Sequence, residues 1–167
     1  TESGYTDIDN LKRVIDEHWK THKRFEGVAS NYLCDLQVGE EVKLTGPVGR
    51  RFLLPINAKD YNYVFVATGT GIAPFRGMIM ELLKAEHAKQ IVLIMGVAYA
   101  TDLLYHAYFE DLATRHENFH YLTAVSREMQ LDAKAGPMYV HQRFVTHADL
   151  LQPLLNLDHT LIYACGI

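Results

Sequence analysis

Apolar and polar positions alternate in blocks from about residue 62 to the end of the chain. Tyr63–Ala67 is a short apolar run rich in β-formers and reads as a buried strand. Pro74 to about His87 has helical spacing, with Phe75, Ile79, Leu82 and Leu83 on one side. Gln90–Gly96 (QIVLIMG) reads as a second buried strand. Asp102 to about Arg115 reads as a second helix through Leu103, Tyr105, Phe109 and Leu112. Phe119–Val125 is a third strand, Gly136 and Pro137 open a helix that runs on through Val140 and Phe144, and His159–Cys165 is a fourth strand. Strand–helix alternation of this kind predicts an α/β fold, a parallel sheet flanked by helices.

Residues 1–56 follow a different pattern. Ile8, Leu11, Ile15 and Trp19 line up as one face of a helix, but Leu11–Ile15 reads equally as a strand entering a hairpin. Ser30–Leu36 suits a short helix with Ser30 near its start. Gly39–Gly46 alternates as a strand does, and Gly46–Gly49 (GPVG) is a turn. Residues 1–56 thus read as antiparallel β structure, partly missing, ahead of an α/β part at 57–167. The chain stops in or just after a strand-like run (LIYACGI), so a fragment is expected. There is no internal repeat and no low-complexity tract.

Composition narrows the class. The 167 residues are 49% hydrophobic and 22% charged, as in a soluble globular protein of one domain, or one domain and part of another. No apolar run approaches the roughly 18 residues of a membrane span, and the opening TESGYTDIDN shows no signal peptide. A formal charge of −4 argues against a nucleic-acid binder. The two cysteines, Cys34 and Cys165, have no metal-like spacing, and the nine histidines form neither HxH nor HExxH. A reduced, cytoplasmic protein without a metal site is expected. Cys34, on the apolar side of its short helix, reads as a core residue.

The candidate chemistry lies where strands end. VFVATGTGIAPFR carries an apolar run into two glycines one residue apart. Ligands of open α/β sheets bind beyond the carboxyl ends of the strands. Gly69 and Gly71 let backbone come close to a ligand, Pro74 suits a first helical turn, and the free N–H groups there favour a phosphate. The same loop also serves as a plain strand–helix connection, because a bare GxG is a weak signal. The third strand ends in Ser126-Arg127-Glu128, with Tyr139 at the start of the next helix. A hydroxyl and a guanidinium suit a phosphate monoester, and a tyrosine suits a purine face. A strand-end cap and a surface arginine remain the plainer reading. Gly27-Val28-Ala29-Ser30-Asn31, ahead of a short helix, is a third such place. Two sites on one sheet edge together suggest a dinucleotide with an extra phosphate, such as NADP.

The ordered segments GVASNYLCDL, VKLTGPVGRRFLLP, ATGTGIAPFRGM, LIMGVAYATDLLYHAYFEDL, AVSRE, PMYVHQRF and IYACGI resemble the plant-type ferredoxin–NADP⁺ reductases, from about Leu11 to the last residue. Each segment alone is weak, and the set in this order is highly specific. The resemblance implies an FAD-dependent NADP(H) oxidoreductase whose NADP-binding α/β domain (57–167) follows the C-terminal part of an antiparallel β-barrel FAD-binding domain (1–56). It implies that Gly27, Val28, Ala29 and Ser30 hold the FAD pyrophosphate, with Ser30 near the flavin N5 edge. Thr68, Gly69, Thr70, Gly71, Ile72, Ala73 and Pro74 would underlie the NADP pyrophosphate and nicotinamide. Ser126 and Arg127 would grip the 2′-phosphate, and Tyr139 would stack on adenine, with His141 where many members carry Gln. Arg50 stands where the family has a lysine on the nucleotide phosphates. Cys165, followed by Gly166, would stand beside the nicotinamide and flavin.

Several positions depart from the family pattern. Ala29 stands where the family often has Cys. The family's Arg-x-Tyr-Ser flavin motif would fall before Thr1, and its C-terminal aromatic after Ile167. The implied reaction is hydride transfer between nicotinamide and flavin, with Ser30 and Cys165 as the residues at the reacting atoms and Cys165 positioning rather than attacking. The implied partner is ferredoxin or flavodoxin. Lys12, Arg13, Lys20, Lys23 and Arg24 form a modest basic patch for an acidic carrier. Two other readings stand beside this one. The first is a reductase module serving an oxygenase or haem domain; the second is a nucleotide-binding fragment without turnover.

Overall fold

The computed structural model describes residues 15–18, 23–26, 28–46, 49, 52–132, 136–155 and 158–167. The chain divides into two compact units, Thr1–Arg50 and Arg51–Ile167. In the first unit, β1 (Ile15–His18) pairs antiparallel with β2 (Lys23–Glu26), in a register that sets Ile15 opposite Glu26 and His18 opposite Lys23. The hairpin reading is therefore the one adopted at Ile15, while Ile8, Leu11 and Trp19 lie outside the described residues, as do Lys12, Arg13 and Lys20. Helix α1 (Val28–Asp35) follows. It starts two residues before Ser30, so Ser30 sits inside the first turn rather than capping it.

Two expectations for this unit are corrected. Residues 40–46 form no strand: alternation needs a neighbouring backbone to pair with, and among the described residues none pairs with this segment. Instead Glu40 N–H bonds Gln37 O at 3.1 Å, closing a turn. Cys34 is exposed rather than core, because α1 buries Asn31 and leaves its apolar side chains Val28, Tyr32 and Leu33 outside.

In the second unit β3 (Asn62–Thr68), β4 (Ile91–Val97), β5 (Phe119–Val125) and β6 (Thr160–Cys165) form a parallel sheet in the order β5-β4-β3-β6. Helices α2 (Ile72–Lys84) and α3 (His106–Arg115) connect β3 to β4 and β4 to β5. Helices α4 (Val140–Thr146) and α5 (Ala148–Leu155) connect β5 to β6. The period-two pleat sorts the strand residues between two cores. Tyr63, Phe65 and Ala67, with Ile91, Leu93 and Met95, pack with Phe75, Ile79, Leu82, Phe109 and Leu112. Val64, Val92 and Ile94 pack instead with Leu151 and Leu154, joined by Val140 and Phe144. Helices thus cover both faces. The chain winds outward from β3 through β4 to β5, then returns to β6 on the other side of β3, which puts the switch point between β3 and β6.

The helix starts differ from the sequence pattern at two places. Gly136 and Pro137 precede α4 instead of opening it: Met138 N–H bonds Val125 O at 2.8 Å, which holds this stretch extended. Tyr139 then caps α4 in an extended conformation, its N–H held by Gln142 Oε1 at 2.7 Å. Before α3, residues 100–102 make a 3₁₀ turn and Tyr105 has φ +58°, so the helix begins at His106. No helix among the described residues is long and apolar enough to cross a membrane.

Candidate functional site

The carboxyl ends of β3 and β6 meet without room for side chains. A methyl group at Gly71 would stand 2.1 Å from the carbonyl oxygen of Cys165, and one at Gly166 would stand 2.1 Å from Thr68 Oγ1 and 2.7 Å from Thr68 O. Backbone therefore lies against backbone, an approach open only to glycine. Thr68 Oγ1 accepts a bond from Ile167 N–H and donates one to Ile167 O, both at 3.0 Å. Gly69–Gly71 is a 3₁₀ turn with Gly69 at φ +52°, and Ile72 begins α2 directly after it. Pro74 falls in the first turn of α2, where its missing donor has no intrahelical acceptor to lose.

Beyond these ends lies a cleft of ≈ 490 Å³. Its walls come from all four strands: Thr68, Gly69 and Thr70 after β3, Gly96 and Val97 at the end of β4, Ala124 and Ser126 at β5, and Gly166 after β6. Met138, Tyr139 and Val140 close another side. Of the glycine segment, Gly71 and Ile72 are buried under the turn, while Ala73 and Pro74 face outward. Cys165 is half-buried at the strand end, its carbonyl against Gly71. In the first unit, Val28, Ala29 and Ser30 are exposed in the first turn of α1, a turn that carries no acidic side chain. Gly27 and Arg50 lie outside the described residues.

The β5 rim is tied to the β4 loop by backbone. Ser126 N–H bonds Val97 O at 3.0 Å, Arg127 N–H bonds Ala98 O at 2.9 Å, and Ala100 N–H bonds the Glu128 carboxylate at 2.8 Å. Ser126 Oγ donates to Val97 O at 3.3 Å. The Arg127 guanidinium stands over the Tyr99 ring, 5.7 Å from its centroid, and one N–H reaches the Tyr99 hydroxyl at 3.5 Å. Tyr139 is 64% exposed, with one face stacked on His141 at 6.1 Å and 13° between planes. A flat group in the cleft would meet its other face.

Two groups at this site were not visible in the sequence pattern. Tyr99 follows the carboxyl end of β4, and the rule that strand-end loops face the ligand edge was the available signal. Arg143 is 1% exposed inside the second unit. It donates to Thr123 O at 2.6 Å, to the Asp132 carboxylate at 2.7 Å and to Gln130 Oε1 at 3.3 Å. Gln130 in turn accepts from Val125 N–H at 2.9 Å and donates to Val125 O and Gly136 O at 2.6 and 3.1 Å. These bonds tie the end of β5 to Gly136 and to α4, beside Ser126 and Tyr139.

The arrangement is chemically selective. Glycine-lined backbone, the start of a 13-residue helix with no acidic side chain in its first turn, and a serine–arginine pair suit phosphate groups. An exposed tyrosine face suits a heterocycle. Asp102 also lines the cleft, but its carboxylate accepts from Tyr99 N–H at 3.2 Å. Among the described residues no cluster of His, Cys, Asp and Glu is arranged to hold a metal ion.

Comparison with known proteins gives the site a lineage. Residues 65–167 match the family described as the oxidoreductase NAD-binding domain. The ferredoxin–NADP reductase of Spirulina is 38% identical over 163 residues, covering 94% of this chain and 55% of that protein. The leaf-type chloroplastic isozyme of Nicotiana tabacum is 43% identical over 165 residues, covering 94% of this chain and 44% of that protein. A crystal structure of a point mutant of the Plasmodium falciparum ferredoxin–NADP⁺ reductase with 2′P-AMP superposes with a TM-score of 0.72 at 25% identity, covering 92% of this chain and 59% of that one. The chain spans about half the length of the curated relatives it matches. With residues 65–167 matched and the cleft at the sheet edge within them, the chain belongs to the oxidoreductase NAD-binding domain family, and 94% of it is similar to part of the ferredoxin–NADP reductases.

Proposed function

We propose that this protein works as an NADP-dependent FAD oxidoreductase of the ferredoxin–NADP⁺ reductase type, passing electrons between NADP(H) and an iron–sulfur or flavin carrier. One observation carries the reading: the glycine turn after β3 and the Ser126–Tyr139 rim after β5 face a single cleft at the switch edge of the sheet. The residues present fit a dinucleotide: Ser126 and the exposed Tyr139 ring line the cleft together with Thr68, Gly69 and Thr70, and α2 starts beside them with no acidic side chain in its first turn. The relatives named above, one of them crystallised with 2′P-AMP, support the same class of ligand.

In this reading residues 57–167 form the NADP-binding domain and 1–56 part of the FAD-binding barrel. Thr68, Gly69, Thr70 and the α2 start from Gly71 through Ile72, Ala73 and Pro74 take the pyrophosphate and nicotinamide end. Ser126 and Arg127 take the 2′-phosphate. Tyr139, backed by His141, takes adenine. Cys165 and Gly166 flank the nicotinamide, so that geometry rather than proton transfer is their contribution. Gly27, Val28, Ala29 and Ser30 face the FAD pyrophosphate and flavin edge, and Arg50 the nucleotide phosphates. FAD held by Gly27, Val28, Ala29 and Ser30 would supply the exchange between hydride and single electrons; the chain's part is to bind and orient. Ferredoxin or flavodoxin is the proposed carrier. A reduced, cytoplasmic setting belongs to the same reading, supported by the free thiols of Cys34 and Cys165.

The test is a calorimetric titration of the purified chain with 2′,5′-ADP and with 5′-AMP. A clear preference for 2′,5′-ADP is expected. Binding of neither by a chain shown to be folded overturns the reading.

A further inference from the structure

We infer that Tyr99 sets the position of the Arg127 guanidinium and thereby the preference of the cleft for a nucleotide that carries a 2′-phosphate. The inference rests on the nucleotide reading above and adds a positioning residue to it. Arg127 is exposed, and among the described residues no carboxylate pairs with it. A long exposed cation loses rotamer freedom when it closes on a phosphate. A carboxylate partner would order it but would also neutralise the charge that the phosphate needs. An aromatic face orders it and leaves the charge available.

The loops are built to hold this geometry. The Arg127 backbone is bonded to Ala98, the Glu128 carboxylate is bonded to Ala100 N–H, and Tyr99 N–H is held by Asp102. Both Cα positions are therefore fixed relative to each other, on two loops that the sheet brings side by side. The ring then lies 5.7 Å from the guanidinium carbon, within cation–π range, with the hydroxyl toward the same group. Ala98 and Ser126, the neighbours of the two residues, line the cleft itself.

The experiment compares the wild-type chain with Tyr99→Ala, Tyr99→Phe and Arg127→Ala, each titrated with 2′,5′-ADP and with 5′-AMP. Tyr99→Ala is expected to weaken 2′,5′-ADP about two- to fivefold and leave 5′-AMP unchanged. Tyr99→Phe, which keeps the ring, is expected to recover most of that loss. The inference is overturned if Tyr99→Ala leaves the ratio of the two affinities unchanged while Arg127→Ala lowers it. It is equally overturned if Tyr99→Ala weakens both ligands alike, which would mark a merely structural residue. A wild-type chain that binds both ligands equally overturns the 2′-phosphate assignment itself, and this inference with it.

Discussion

Gly71 and Cys165 touch through their backbones: a methyl group at 71 would stand 2.1 Å from the Cys165 carbonyl oxygen and 2.5 Å from its carbon. The atoms it would meet belong to the end of β6, which pairs with β3 and has no freedom to step aside. Gly71→Ala should therefore destabilise the fold by about 1–3 kcal/mol through overpacking. Gly77, in the middle of α2, supplies the contrast, because a methyl there meets nothing within 4 Å. Gly77→Ala should stabilise by about 0.5–1 kcal/mol, the helix-interior difference between the two residues. Urea denaturation of the pair checks both signs, and equal effects would mean the β3–β6 contact is looser than described.

Arg127 and Ser126 should contribute unequally to nucleotide preference. Arg127 brings a charge that no carboxylate among the described residues pairs with, whereas the Ser126 hydroxyl is neutral and already has Val97 O as an acceptor at 3.3 Å. Arg127→Ala should lower the preference for 2′,5′-ADP over 5′-AMP about ten- to a hundredfold, as loss of a charge-assisted contact does. Ser126→Ala should lower it less. The preference should also fall with added salt, because the pair works at an exposed rim. Calorimetry at two ionic strengths tests the order of the two variants and the salt effect together.

Stability should fall on mild acidification, and His87 should be a main cause. It is buried, its Nε2 has no hydrogen-bond partner among the described residues, and its ring meets Tyr63 edge-on at 5.4 Å. Burial pushes its pKa below the ordinary value, and nearby Lys89 adds to this against a backbone bond to Tyr61 that opposes it. Burial lowers His120 likewise. With folded-state values lowered, the unfolded chain binds protons that the folded chain refuses. Stability is thus retained above about pH 6.5 and lost as pH falls from there toward the folded pKa. Urea midpoints at pH 7.5 and 5.5 should show the loss, and His87→Leu should flatten it. An unchanged slope in His87→Leu would move the cause elsewhere.

Much of the second unit was legible because its signals are local. The seven residues of β4, all buried, follow one continuous apolar run, and each strand end lies within one or two residues of its apolar segment. The glycine turn was legible because a close approach admits few other residues. What escaped depends on partners far along the chain. Gly39–Gly46 alternates like a strand, but pairing decides whether a strand forms. Gly136 and Pro137 look like a helix start, yet Met138 is bonded to Val125, thirteen residues earlier. Cys34 sits among apolar neighbours on a helix whose apolar side chains are themselves exposed. Tyr99 meets Arg127 across 28 positions, and no spacing rule reports a contact between two loops.

Arg143 is the sharpest such case, and its removal should reveal what holds the rim. A cation on a short helix reads as surface, yet here it is buried with three acceptors, one of them the backbone oxygen of Thr123 in β5. Arg143→Met fills similar space but takes the side-chain donor from that carbonyl, while Gln130 Oε1 keeps its bond from Val125 N–H. The expected loss is about 2–4 kcal/mol. Asp132 is a third exposed, so its ion pair is partly screened, and Asp132→Asn should cost under about 1 kcal/mol. Both should weaken 2′,5′-ADP and 5′-AMP by the same factor, since the bonds hold Thr123, Val125 and Gly136 rather than one phosphate contact. Denaturant titration gives the energies and calorimetry the ratio. If Asp132→Asn proves as costly as Arg143→Met, the ion pair and not the bond to the strand carbonyl holds the segment. If either variant shifts the ratio of the two ligands, the network reaches the 2′-phosphate contact directly.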